Sequence, residues 1–244
     1  MLITNTPQLI KGLRIDWDKI SPDSYLRGIE AIGGVEDITF HAPVTFFVGE
    51  NGSGKSTLLE AIAVAGGFNP EGGTRNYSFS TYDSHSELWE ALRLIRGTRR
   101  MSWGYFLRAE SFYNVATKEE EYSRALSEDR QQHFHQRSHG ESFLTLVQNI
   151  FRGGGLYLMD EPEAALSPQR QLTLLVEMDR CIKEGAQFII VSHSPILLAF
   201  PGAEILSFDD GPIHPCSYDE TDSYRVTSMF INHREMILKR LLEE

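Results

Sequence analysis

Cysteine is scarce: Cys181 and Cys216 are the only two in 244 residues, far apart and without metal-ligand spacing. Neither a disulfide framework nor a thiolate–metal site organises such a chain, and a reducing compartment is the default. Positive charge is also in deficit. With 23 Lys and Arg against 34 Asp and Glu the formal charge is −11 and the pI about 5.2. That balance argues against a surface basic overall that grips nucleic acid by counterion release, and leaves room only for a local basic patch. No apolar run approaches the roughly 18 residues needed to span a bilayer, and Met1 to Trp17 lacks the apolar core of a cleavable signal. A cytoplasmic chain without a membrane span is expected. Internal repeats and long heptads are missing too, which excludes solenoids and coiled coils. What is present, 41% hydrophobic and 11% aromatic residues, is ordinary for a globular protein with a real core.

The hydrophobic pattern alternates between strand-like and helix-like segments. Val44–Val48 reads as a short buried strand, followed by a glycine-rich stretch and then by helix formers from Lys55 to Ala63. Phe68 to Tyr82 is punctuated by Asn69-Pro70 and Gly72-Gly73 and reads as a loop. Ser84 to Arg96 is expected to be helical, Trp103 to Leu107 a strand, and Thr117 to Gln136 an exposed charged helix. A further helix after Gly140 carries Phe143, Val147, Ile150 and Phe151 on one face. In the last third Leu156–Met159 reads as strand, Ser167–Lys183 as helix, Phe188–Val191 and Ile205–Phe208 as strands, and Thr221–Leu242 as a closing helix. Strands separated by helices imply a mostly parallel α/β sheet flanked by helices.

Three segments carry chemistry. Gly49-Glu50-Asn51-Gly52-Ser53-Gly54-Lys55-Ser56 matches G-x-x-x-x-G-K-[ST] in full, after a strand and before a helix, with Thr57 next in the helix. Its glycines let backbone N–H groups turn inward around phosphates, and the helix N-terminus adds its dipole. Lys55 supplies a point charge for the β- and γ-phosphates, and the Ser56 hydroxyl suits Mg²⁺. Leu156–Met159 then delivers Asp160 and Glu161 at the carboxyl end of a strand, where open α/β sheets bind ligands. Asp160 is the Mg²⁺ carboxylate and Glu161 the group that orients or deprotonates an attacking water. His193, just past Phe188–Val191, reads either as a reporter of the γ-phosphate and attacking water or as a loop histidine with a satisfied hydrogen bond.

Taken in this order, the three segments resemble the ABC-type ATPase family: a Walker A loop, a Walker B strand ending Asp-Glu-Pro, and a switch histidine. The resemblance implies a P-loop fold over residues 1–244 as one domain, with a helical subdomain at about 68–150 bearing a signature motif. Arg137-Ser138-His139-Gly140-Glu141 stands at that motif's place, Ser138 being 22 residues before Asp160. In the family the serine and second glycine touch the γ-phosphate held by an opposite subunit, here Ser138 and Gly140. His139 and Arg137 depart from the usual residues, and Ser138-x-x-Glu141 is also a helix capping box. Glu163 to Ser167 stands where the family has its D-loop, with Ser167 in place of the usual aspartate. For the Q-loop no glutamine is present, and Glu110 is the candidate that senses Mg²⁺. Tyr25 is the upstream aromatic available to adenine. His133, His135 and His139 lack the ligand pattern of a zinc site.

The sequence GENGSGKST and Ser-x-Gly-Glu are similar to the soluble branch that includes SMC, RecF and OLD-type ATPases. The implied activity is ATP binding and Mg²⁺-dependent hydrolysis by a head-to-tail homodimer that closes on ATP, driving a switch in a DNA repair or defence system or through an effector protein. A transporter subunit and a slowly hydrolysing switch are the alternatives. Arg93, Arg96, Arg99, Arg100 and Arg108 concentrate positive charge in one stretch, readable as a DNA phosphate contact or as a solvated face paired to Glu87 and Glu90.

Overall fold

Every residue of Val44–Val48, Gly155–Asp160 and Gln187–Val191 is buried, so neither face of these strands meets water and both must be covered by other elements. A computed structural model describes residues 8–75, 86–108 and 147–242. Its first elements are the strands β1 (Ile10–Ile15), β2 (Asp37–Thr39) and β3 (Val44–Val48), then helix α1 (Lys55–Ala65) and the two-residue strand β4 (Gly73–Thr74). A short helix α2 (Leu88–Ala91) runs directly into β5 (Leu92–Arg96), with β6 (Trp103–Arg108) and β7 (Gly155–Asp160) following. The chain continues through α3 (Pro168–Lys183), β8 (Gln187–Val191), α4 (Pro195–Leu198), β9 (Glu204–Ser207), β10 (His214–Pro215) and α5 (Asp222–Leu242).

Among the described residues the strands form two sheets. The seven-stranded sheet has the order β10-β9-β3-β8-β7-β6-β4, parallel from β9 through β6 and closed at each edge by a short antiparallel strand. Successive residues of its strands face opposite cores. Phe46, Tyr157 and Phe188 pack with Leu174 and Met178 of α3, whereas Phe47, Leu158 and Ile189 pack with Leu58, Leu59 and Ile62 of α1. The second sheet, β2-β1-β5, is antiparallel and shares the α1 side through Leu13, Ile15 and Leu92. Gln187, fully buried at the start of β8, joins the two sheets: its Oε1 accepts from the N–H groups of Leu9 and Ile10 at 2.9 and 2.8 Å, and its Nε2 donates to Ile10 O at 2.8 Å.

The helix expected over 84–96 is corrected. Of its described residues only Leu88–Ala91 is helical, and Leu92–Arg96 is a strand paired along β1 from Ile15 to Ile10. Its apolar residues suit either period over so short a span, and the open edge of β1 decides the matter. β1, β2, β4 and β10 were not foreseen. In the interval assigned to a signature subdomain, residues 76–85 and 109–146 lie outside the described residues. The expected helix after Gly140 is represented by 147–150, where Val147 and Ile150 are buried. α5 forms where expected, yet none of its residues is buried; Val226, Ile231 and Leu241 are 58, 71 and 68% exposed. Among the described residues no helix is long and apolar enough to cross a membrane.

Candidate functional site

β3, β7 and β8 lie side by side and point the same way, so the loops at their carboxyl ends converge. The loop after β3 runs over residues 49–54 with φ of 141° at Gly49, 87° at Gly52 and 97° at Gly54, a region in which side chains are strained. A Cβ at Gly54 would also come within 2.6 Å of Ile32 Cδ1, so glycine is required there twice over. Lys55, first residue of α1, is buried, and its ammonium donates to the carbonyls of Gly49 at 2.7 Å and Glu50 at 2.6 Å. Burial lowers its pKa, while Asp209, Glu161, Asp160 and Glu50 oppose that shift. A buried cation ringed by four carboxylates marks a place built to receive a charged ligand.

Ser56 Oγ donates to Asp160 Oδ1 at 2.9 Å, which brings the hydroxyl of α1 and the carboxylate of β7 together across 104 residues of sequence. A hydroxyl and a carboxylate are hard oxygen donors of the kind Mg²⁺ takes through a few protein ligands. Arg108, at the end of β6, stands behind them, with Nη1 2.7 Å from Glu60 Oε2 and Nε 3.8 Å from Asp160 Oδ2. Of the two readings of the arginine stretch, Arg108 follows the one paired to acids, with Glu60 and Asp160 as its partners beside the phosphate loop. Glu161 has φ of 49°, unusual for a residue with a side chain, and its N–H donates to Val191 O at 3.0 Å. Its Oε1 lies 3.7 Å from His193 Nε2, so the two side chains expected to handle the attacking water face one another.

Residues beyond the motifs hold this arrangement. The N–H of His193 donates to the carboxylate of Glu163, whose pKa is raised by burial against the lowering contributions of His193 and Ser192. Ser194 Oγ donates to Gln171 Oε1, Gln171 Nε2 donates to Leu166 O at 3.2 Å, and Ser194 Oγ accepts from the N–H of Ile196 at 3.2 Å. The loop after β8 is thereby tied to the turn before α3. Asp209, after β9, accepts the N–H of Glu50 on Oδ1 at 2.7 Å. Asp209 and Gln171 belong to the site's supporting network without being part of any motif, and Glu163, the first residue of the D-loop segment, joins them there. Asp209 had the same signal as Asp160, a carboxylate just beyond an apolar strand; Gln171 carried none, because its partner is distant in the chain.

Among the described residues, recesses flank the glycine-rich loop on two sides. One of about 550 Å³ is lined by Glu50, His193, Asp209, Cys216 and Arg225 among others. The other, about 600 Å³, is lined by Asn51, Gly52, Ser53 and Tyr25, the last of these 64% exposed. Tyr25 is thus on the same recess as the phosphate loop. Ser138, Gly140, Glu110 and the histidines 133, 135 and 139 lie outside the described residues. Among the described residues no group of three or more His, Cys, Asp or Glu is arranged to hold a metal ion by itself.

The sequence family described as "AAA domain" matches residues 25–176, more than half of the chain and inclusive of the glycine-rich loop, Asp160 and Glu161. The chain belongs to the AAA domain family. Its glycine-rich loop is a phosphate-loop motif, carried on a mostly parallel α/β sheet flanked by helices. No curated protein matches this AAA domain chain. Solved structures similar to it include the SMC head domain from Thermotoga maritima, at 16% identity and a TM-score of 0.48, covering 85% of this chain and 99% of that one. A metal-chelate type ABC transporter in an inward-facing conformation is similar at 18% identity and a TM-score of 0.45, covering 80% of each chain.

Proposed function

We propose that the chain binds ATP with Mg²⁺ on the glycine-rich loop and hydrolyses it. The observation that carries this is the convergence of Lys55, Ser56, Asp160, Glu161 and His193 at the carboxyl ends of three adjacent parallel strands. The residues Gly49, Glu50, Asn51, Gly52, Ser53 and Gly54 turn their backbone toward the phosphates, and Thr57 continues the first turn of α1, whose N-terminus favours anions. Lys55 leaves the carbonyls of Gly49 and Glu50 for the β- and γ-phosphates. Ser56 and Asp160 hold Mg²⁺, which, when bound, neutralises charge developing on the phosphate oxygens. Glu161 orients the water and accepts its proton, and His193, held by Glu163, bridges that water and the γ-phosphate.

The active unit is a head-to-tail homodimer in which Ser138 and Gly140 of the opposite subunit close on the γ-phosphate, with Glu110 beside Mg²⁺. ATP holds the dimer together and hydrolysis releases it, a switch suited to a soluble repair or defence system or to a separate effector protein. Light scattering of Glu161→Gln tests this. A doubling of mass with ATP and Mg²⁺, together with turnover lowered about 10²–10⁴-fold, is the expected outcome. A variant that stays monomeric at saturating ATP overturns the sandwich, and Lys55→Ala that retains full nucleotide affinity overturns the site. Adding duplex DNA to the trapped dimer reads out the DNA partner directly: a heavier species supports it and none removes it.

A further inference from the structure

The arginine-rich stretch does not behave as one patch. Arg108 belongs to the phosphate-loop neighbourhood, whereas Arg96, Arg99 and Arg100 turn with Arg75 into a separate cavity of about 460 Å³ that also has Leu94 and Met101 on its wall. No acidic residue lines this cavity among the described residues, in a chain whose formal charge is −11. The pairing with Glu87 and Glu90 that sequence allowed is absent: among the described residues no ion pair joins Arg75, Arg96, Arg99 or Arg100 to a carboxylate. Four arginines lining one cavity, with no carboxylate partner among the described residues, make its walls attractive to an anion.

One of the four is fixed by the backbone. Arg99 Nη1 donates to Gly185 O at 3.3 Å, and a Cβ at Gly185 would fall 1.9 Å from that same nitrogen, so the turn before β8 is shaped around the guanidinium. Gly185 has φ of 87°, where glycine is at ease. Arg75 lies over Gly67, with Nε 3.4 Å from where a Cβ would stand. Arg96 and Arg100 are exposed. The cavity opens at the amino ends of β6 and β8, and the glycine-rich loop lies at the carboxyl end of β3. A strand length of roughly 17–20 Å separates the two.

We propose that this cavity is a second anion site, which takes a small phosphorylated molecule with at least two negative charges. Guanidinium forks match phosphate oxygens bidentately, and the apolar wall of Leu94 and Met101 suits a compact body beside the phosphate. A cavity of about 460 Å³ bordered by β1, β5 and the turn after it fits a small molecule better than a duplex, whose backbone would run on over a chain of net negative charge.

Calorimetry with pyrophosphate tests the proposal on the full chain carrying Lys55→Ala, which silences the phosphate loop. One saturable equivalent is expected to remain. Adding Arg96→Ala and Arg100→Ala should weaken it about 10–100-fold, whereas Arg93→Ala, an exposed arginine of the same strand that does not line the cavity, should leave it unchanged. Unchanged melting temperature of the arginine variants shows that they fold. Absence of saturable binding in the Lys55→Ala chain, or binding insensitive to Arg96 and Arg100, overturns the site. Binding of a 20-base-pair duplex through these arginines without any binding of pyrophosphate overturns it in favour of nucleic acid.

Discussion

Glu161 occupies a left-handed backbone conformation that costs a residue with a side chain about 1 kcal/mol or more, and it does so at the point where the chain leaves β7. The strain turns its carboxylate toward His193 instead of along the strand. Glycine at this position would relieve the strain while removing the carboxylate. Glu161→Gly is therefore expected to raise stability in urea by about 1 kcal/mol and to abolish turnover; a destabilised variant would show the conformation to be unstrained. Glu163 supports a pH prediction of definite sign. Because burial raises its folded pKa above its unfolded value, the folded chain holds the proton more tightly, and the stability this group contributes is lost as pH rises through the folded value. Glu163→Gln keeps an acceptor for the His193 N–H and should flatten that part of the stability profile, read by urea unfolding in steps from about pH 4.5 upward. An unchanged slope would exclude Glu163 as its source.

Among the elements, β1 is held by a contact distant in sequence. Its start is fastened to the main sheet by Gln187, whose amide satisfies three backbone groups of Leu9 and Ile10 in a buried setting. Gln187→Leu keeps the volume but leaves those groups without partners, and a loss of about 2–5 kcal/mol is expected by chemical denaturation. A loss under about 1 kcal/mol would mean water replaces the amide. The two cysteines should separate by accessibility. Cys181 is fully buried in α3 and its thiol is pushed up to about 11, whereas Cys216 is half-buried at the recess beside Glu50. A maleimide at about pH 8 should label Cys216 in the native chain and reach Cys181 only after unfolding; equal labelling would contradict the buried packing of α3.

At the scale of the molecule, the two cores on either face of the seven-stranded sheet carry the fold, and α5 contributes to neither. The helix departs from regular geometry at His233, where φ is −130°. Removing residues 233–244 should shift stability by no more than about 1 kcal/mol in thermal or urea unfolding, because 233–242 contain no buried residue. A larger loss would show that α5 packs more tightly than its exposure indicates. The parallel core was legible in the sequence. β3, β7 and β8 are near-continuous apolar runs, and strands buried on both faces can hardly be written otherwise. Leu92–Arg96 was not legible, since five residues with apolar and charged side chains interleaved fit a helix as readily as a strand that finds an edge.

The sequence by itself determined the glycine-rich loop, the strand that ends in Asp160 and Glu161, and the position of His193 after a buried strand. Each of these is a local requirement: positive φ at glycine, a helix N-terminus directly after the loop, a carboxylate where an apolar run stops. Tertiary structure decided what depends on residues remote along the chain. Ser56 meets Asp160 across 104 positions, Glu50 meets Asp209 across 159, and Ile10 meets Gln187 across 177. It also divided one run of arginines between a carboxylate cluster at one end of the sheet and a cavity that no acidic side chain lines among the described residues. Spacing along a chain fixes which side chains share a face of one element, and only the packing of elements fixes which charges finally stand together.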